Sequence, residues 1–283
     1  MIRSNSPGRE ALRKLLRDRL AFASLCVIGI YVVIAVFSAL NWLPFDYANR
    51  LGPSYAKPNA QFWLGTDFLG RDVFAKILYG AKVAFSVGMV ASLIAIPIGA
   101  CLGAIAGYFG GWIDELVVWV YTTITSVPQI LLLLSLSFVL GRGLTAIYIA
   151  VGLTSWVGIC RLIRAEVLKH KELDYVTAAR ALGAGNLRII LRHIFPNVFH
   201  LLIIDFSLRF IYAIKSEAIL SYLGLGVQGE PSWGIMIADA KEELLRGIWW
   251  QLTAATGAMF FIVLALNILG DALRDALDPR LET

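Results

Sequence analysis

Asp205 and Arg209 stand four residues apart in a stretch that is otherwise apolar, where a helix would set them on one face. Lys215 and Glu217 follow within it. Charges of opposite sign in apolar surroundings can pair with each other, or they can meet a zwitterionic solute. A covalent mechanism would need nucleophile or metal-ligand spacing at the same depth, and only the Asp205/Arg209 pair is available. A second polar group, Asp67, Arg71 and Asp72 beside Gly65 and Gly70, could be imagined as a dyad but reads as a structural knot. His170, His193 and His200 are spread around one loop and its exit without other ligand types beside them, so no metal site is expected. Cys26, Cys101 and Cys160 lie far apart in apolar stretches, which makes neither a disulfide framework nor a cluster; each is expected as a small buried hydrophobe.

The elements that must hold these charges are apolar spans. The 283 residues are 58% hydrophobic and 16% charged, with mean hydropathy +0.72. That is too apolar for one soluble core and too uncharged for a disordered chain. The net charge of +5 does not imply nucleic acid, because the basic residues alternate with apolar segments as in membrane-protein loops. Six spans are expected: Leu20–Leu40, Val83–Phe109, Leu116–Leu140, Gly143–Cys160, Val198–Val227 and Ile248–Gly270. The first is too long for a cleaved signal, and no A-x-A site follows it. Its basic head (Arg3, Arg9, Arg13, Lys14, Arg17, Arg19) sets the N-terminus inside, and six spans return the C-terminus to that side. On this topology the inside segments hold fifteen Lys and Arg and the outside segments eight. Pro97 and Pro128-Gln129 interrupt spans two and three, as kinks or as the lining of a cavity. Gly99, Gly103 and Gly107 suggest close helix packing. If the fifth span starts near Val198, Asp205 and Arg209 lie about 10–17 Å along it, as a buried structural pair or as the lining of a solute path.

The loops carry the rest. Segments 41–82 and 223–247 are expected outside and 161–197 inside. In the inside loop Asp174 is expected to cap a helix over Tyr175–Leu182, which Gly183 interrupts. A second short helix over Leu187–Phe195 would carry one apolar stripe of Leu187, Ile190, Leu191, Ile194 and Phe195, and Pro196 would stop it. Such short helices need a packing partner: the spans, another protein or the lipid surface.

Thr177-Ala178-Ala179, then Gly183, then Pro196 resembles the Glu-Ala-Ala motif of ATP-binding-cassette importer permeases, with Thr177, His193 and Phe195 replacing the motif's Glu, Ile and Leu. Tyr175 to Gly183 looks like the dipeptide, oligopeptide and nickel branch. Leu64-Gly-Thr-Asp-Phe-Leu-Gly-Arg-Asp72, Tyr108-Phe-Gly-Gly-Trp-Ile-Asp114, Glu217-Ala218 with Leu220–Gln228, Pro231-Ser-Trp-Gly234 and Gly270–Arg280 resemble further segments of that branch, in order, and specifically of its second, C-type permease.

This resemblance implies an all-α, polytopic type I importer permease of six transmembrane helices in a bacterial inner membrane, with both termini cytoplasmic. Residues 1–82 would be the N-terminal segment, first span and outside loop, and 83–283 the permease core with coupling loop 161–197. It implies a homologous B-type permease, two ATPase subunits and an external solute-binding protein as partners, besides membrane lipid. ATP and Mg would be held by the ATPases; this chain has no Gly-x4-Gly-Lys-Ser/Thr loop and is expected to carry no catalytic residue and no cofactor. Coupling would fall to Tyr175, Thr177, Ala178, Ala179, Arg180, Gly183 and Ala184. Asp205, Arg209 and Glu217 are candidates for the solute path, and Glu230, Trp233 and Asp239 for outside contact with the binding protein or the solute. The branch handles di- and oligopeptides, nickel chelates and antimicrobial peptides. An autonomous transporter or channel is the rival class, and no inverted repeat supports it.

Overall fold

The computed structural model describes residues 14–277, so Arg3, Arg9 and Arg13 of the basic head and Asp278-Pro279-Arg280 of the last motif lie outside the described residues. The described chain is helical, with one isolated bridge between Thr66 and Asp72. In order the helices are α1 (Arg19–Ala39), α2 (Val73–Phe109), α3 (Gly111–Ser126), α4 (Gln129–Leu140), α5 (Leu144–His170), α6 (Asp174–Ala181), a turn α7 (Asn186–Arg188) running through a π-helix (Ile189–Ile194) into α8 (Phe195–Tyr222), then α9 (Trp233–Leu245) and α10 (Trp250–Leu277). Five helices are long and apolar enough to cross a membrane, or six if the pair α3–α4, bent by 89°, counts as one span.

Boundaries depart from expectation where polar residues are helical. The second span begins at Val73, ten residues before Val83, because the Asp72 side chain caps it by accepting from the Phe74 amide at 2.9 Å. The fourth runs on from Cys160 to His170. Segment 223–247 is not all loop: Ser232 caps α9, its Oγ accepting from the Ile235 amide at 3.1 Å.

The two prolines behave differently. Pro97 sits inside α2 without ending it, whereas Val127, held extended ahead of Pro128, parts α3 from α4. The packing spine is α2 against α5. A Cβ at Gly99, Gly103 or Gly107 would run into the α5 backbone at Trp156, Cys160 or Arg164, so this stripe is what lets the two helices approach. Helices α1, α8, α9 and α10 pack around the N-terminal half of α2. Of the cysteines only Cys160 is buried; Cys26 and Cys101 point outward from their spans, where apolar side chains face lipid rather than a core.

Candidate functional site

The loop between α5 and α8 is shorter than its sequence suggests. Leu173 takes the extended N-cap conformation, so Asp174 is the first residue of α6 rather than its cap, and the acid sits in the first turn, where the helix dipole favours it. The helix ends in a Schellman motif: the Gly183 amide donates to the Arg180 carbonyl and the Ala184 amide to the Ala179 carbonyl, both at 3.0 Å, with Gly183 at φ +82°.

Val176 and Ala179 turn inward against Tyr108 of α2, Ile163 and Val167 of α5, and Ile189, Ile190 and Ile194. Ala184 is half-buried; Tyr175, Thr177, Ala178, Arg180 and Gly183 face outward, and Leu182 is 88% exposed. Among the coupling candidates, then, Ala179 backs the loop instead of facing a partner. Three side-chain bonds fasten the loop to the spans. Tyr108 Oη donates to Asn186 Oδ1 at 3.0 Å, His170 Nδ1 and Tyr175 Oη are hydrogen-bonded at 2.8 Å, and Asn197 Nδ2 of α8 donates to Tyr175 Oη at 3.5 Å.

The separate second helix and its stripe are corrected. Pro196 does not stop the chain; it lies in the first turn of α8. In an α turn its ring would collide with the Arg192 carbonyl. The preceding turn is widened instead, the Phe195 amide reaching back five residues to the Ile190 carbonyl. With the register widened, Ile189, Ile190 and Ile194 are buried while Leu187 and Leu191 stand exposed.

Asp205 and Arg209 do share a face of α8. Arg209 Nε donates to Asp205 Oδ2 at 2.8 Å and Nη2 to Oδ1 at 3.3 Å, while Nη1 donates to the Ser155 carbonyl of α5. The two side chains face different hollows. Asp205 lines a cavity of about 550 Å³ between α5, α8 and α10, with Glu166, Lys169, His170, His200 and Arg274. Arg209 lines one of about 390 Å³ at the α3–α4 break, with Thr125, Gln129, Ser155, Gly158 and Arg161. Of these neighbours Gln129 is the one the sequence marks as possible cavity lining; Thr125, Gly158 and Arg161 are not read from it, although Thr154, Gly158 and Arg161 follow helical spacing. Glu217 is not with them. It is sealed between α8 and α9, accepts from Ser221 Oγ at 2.6 Å, and lines neither cavity.

The knot around Asp67 is larger than three residues. Asp67 Oδ2 accepts from Arg71 Nε at 2.7 Å and from Lys76 Nζ at 3.0 Å, and Lys76 also donates to Gln251 Oε1 at 3.0 Å. Burial pushes the Asp67 carboxyl up, but Lys76 and the hydrogen bonds outweigh it and hold it below its usual value. Trp233, expected as an outer contact, is 2% exposed: its ring packs edge-on against Tyr31 and its Nε1 donates to the Ile77 carbonyl at 3.0 Å. A large aromatic with one polar atom is better used where that atom finds a carbonyl. Glu230 is half-buried and pairs with Lys82 at 2.7 Å, and Asp239 lines a polar hollow with Arg71 and Lys76. Among the described residues no group of three or more His, Cys, Asp or Glu could hold a metal ion.

Residues 99–283 match the family described as binding-protein-dependent transport system inner membrane component, and residues 6–61 match the N-terminal transmembrane domain of oligopeptide transport permease C. The dipeptide transport system permease protein DppC of Bacillus subtilis strain 168 is 37% identical over 279 residues, covering 98% of this chain and 87% of that protein. The glutathione transport system permease protein GsiD of Pectobacterium atrosepticum is 36% identical, covering 98% and 93%, and the oligopeptide transport system permease protein OppC of Bacillus subtilis is 34% identical, covering 99% and 92%. Together with five or six apolar spans, the glycine-spaced helix pair and the motifs in order along it, these matches establish that the chain is a multi-pass membrane protein belonging to the permease family of binding-protein-dependent, ATP-binding-cassette importers, a conduit and not itself an enzyme.

Proposed function

We propose that this chain is the second permease of a peptide importer, working beside a homologous permease, two ATP-hydrolysing subunits that hold ATP and Mg, and an external solute-binding protein. Peptides are the solute class favoured by the names of its relatives, dipeptide, oligopeptide and glutathione permeases. The loop from Leu173 to Gly185 is the docking element for an ATPase, and both chain termini lie on the ATPase side, as the distribution of Lys and Arg supports. The solute passes the Asp205–Arg209 face on its way in.

The observation that carries this reading is the two-sidedness of the loop. Its Val176/Ala179 face is built into the ends of α2, α5 and α8, while Thr177, Ala178, Arg180 and Leu182 are left free. Close-packed elements move as blocks, so a push on the free face reaches three spans at once.

The test is reconstitution. Vesicles carrying both permeases, the ATPases and the binding protein should accumulate dipeptide only with ATP inside the ATPase compartment. Accumulation by this chain alone, indifferent to ATP, would refute the proposal.

A further inference from the structure

The cavity at the α3–α4 break is lined by two arginines and, among its lining residues, by no acid. Arg209 is neutralised from behind, since Asp205 belongs to the other cavity. Arg161 is different. Its Nη2 donates to Thr125 Oγ1 at 3.0 Å and its guanidinium lies 4.7 Å from the centre of the Tyr121 ring. Both partners are neutral, and among the described residues no carboxylate pairs with Arg161. Stacking and one hydrogen bond fix the plane of the guanidinium and leave its other N–H groups without an acceptor. An oriented, uncompensated guanidinium beside a second one, in a hollow also lined by Thr125, Gln129 and Thr154, is the arrangement that takes a planar anion. Gln129, at the start of α4, and the Ser155 carbonyl, already bonded to Arg209, form its polar rim.

We infer that this cavity is a carboxylate subsite, in which Arg161 and Arg209 receive the C-terminal carboxylate of the peptide in transit. The subsite rests on the peptide-importer reading and adds to it what part of the solute is gripped, and where. The grip has to be brief, and the Asp205 charge behind Arg209 serves that, weakening one of the two arginines so that the carboxylate can leave.

The complete transporter in phosphatidylcholine vesicles decides it. Uptake of alanyl-alanine and of its C-terminal amide is measured, each at a concentration that saturates the binding protein, so that the protein's own preference cancels between variants. Arg161→Gln should lower the rate for the free acid about tenfold, the worth of a charge-assisted hydrogen bond, and change the amide by less than twofold. Arg209→Gln should do the same. If it fails to assemble, Arg161→Gln still decides, because among the described residues Arg161 holds only Thr125 and Tyr121. Equal loss of both substrates, or no loss of either, would overturn the subsite. So would an effect that appears only when phosphatidylglycerol is added, which would make the anion a lipid headgroup. A wild-type complex that takes up neither substrate with ATP would refute the importer reading, and the subsite with it.

Discussion

The Arg209 guanidinium fills the space that a side chain at position 158 would need: a Cβ built on Gly158 would overlap Nη2 of Arg209. Helix α5 therefore has a glycine where α8 presents its charge, and the Ser155 carbonyl one turn earlier receives Nη1. Gly158→Ala should displace the guanidinium while leaving the α2–α5 seam intact, since that seam is made by other α5 residues. The expected outcome is reduced peptide uptake at normal complex yield. Combining Gly158→Ala with Arg209→Gln should add little to either alone, because both act on the same guanidinium. Strict additivity of the two in uptake assays would show that they act separately.

Gly183 separates backbone strain from contact. Its φ of +82° costs an L-residue about 1–2 kcal/mol, but an added Cβ meets nothing among the described residues within 4 Å. Any dependence on side-chain size must therefore come from whatever docks on the loop. Asn, which tolerates the left-handed region, should retain ATPase binding better than Ala. Leu should bind markedly less than Ala, although the strain is similar. A pull-down of the ATPase with purified permease variants measures this; equal binding by the Ala and Leu variants would remove the loop from the interface.

What could be read without coordinates follows from which forces act locally. Span number and the Gly99/Gly103/Gly107 seam were legible because hydropathy and small-residue spacing act along one helix. The Asp205–Arg209 pair was legible for the same reason, at spacing i, i+4. The stripe on the second loop helix was misread because a π turn shifts register by one residue, so Ile189 took the place that α periodicity gives to Leu187 and Leu191. Trp233 was misplaced because its carbonyl partner, on Ile77, lies 156 residues away. Arg161 acquires its meaning only from α3, at Tyr121 and Thr125.

Lys76 is the keystone of the Asp67 knot. Asp67 is fully buried and the Lys76 side chain is 4% exposed, so removing the cation strands a carboxylate away from water. Lys76→Met should destabilise the protein by about 3–5 kcal/mol, the usual cost of breaking a buried pair. Arg71→Gln, whose partner is the same carboxylate but whose side chain is 24% exposed, should cost about 1 kcal/mol or less. Thermal unfolding in detergent compares them. Equal losses in the two variants would show that burial does not set the ranking.

Glu243 on α9 gives the stability of the fold a dependence on pH. The residue is 2% exposed. Burial pushes its pKa up to about 7, with Lys76 and the Phe68 amide opposing and Asp67 and Asp239 adding to the rise. The unfolded chain releases this proton near the ordinary value of 4.5. Between the two values the folded state holds a proton that the unfolded state has lost, so stability falls as pH rises. The contribution is fully present below 4.5 and gone once pH passes about 7. About 1.4 kcal/mol per pH unit makes the whole loss about 3 kcal/mol. Asp239, also raised by burial, bends the slope the same way at the acid end. Glu243→Gln should flatten the pH dependence of the melting temperature between pH 5 and 8, whatever its effect on the absolute value. A variant whose melting temperature still falls as steeply as wild type over that range would place the titrating proton on another group.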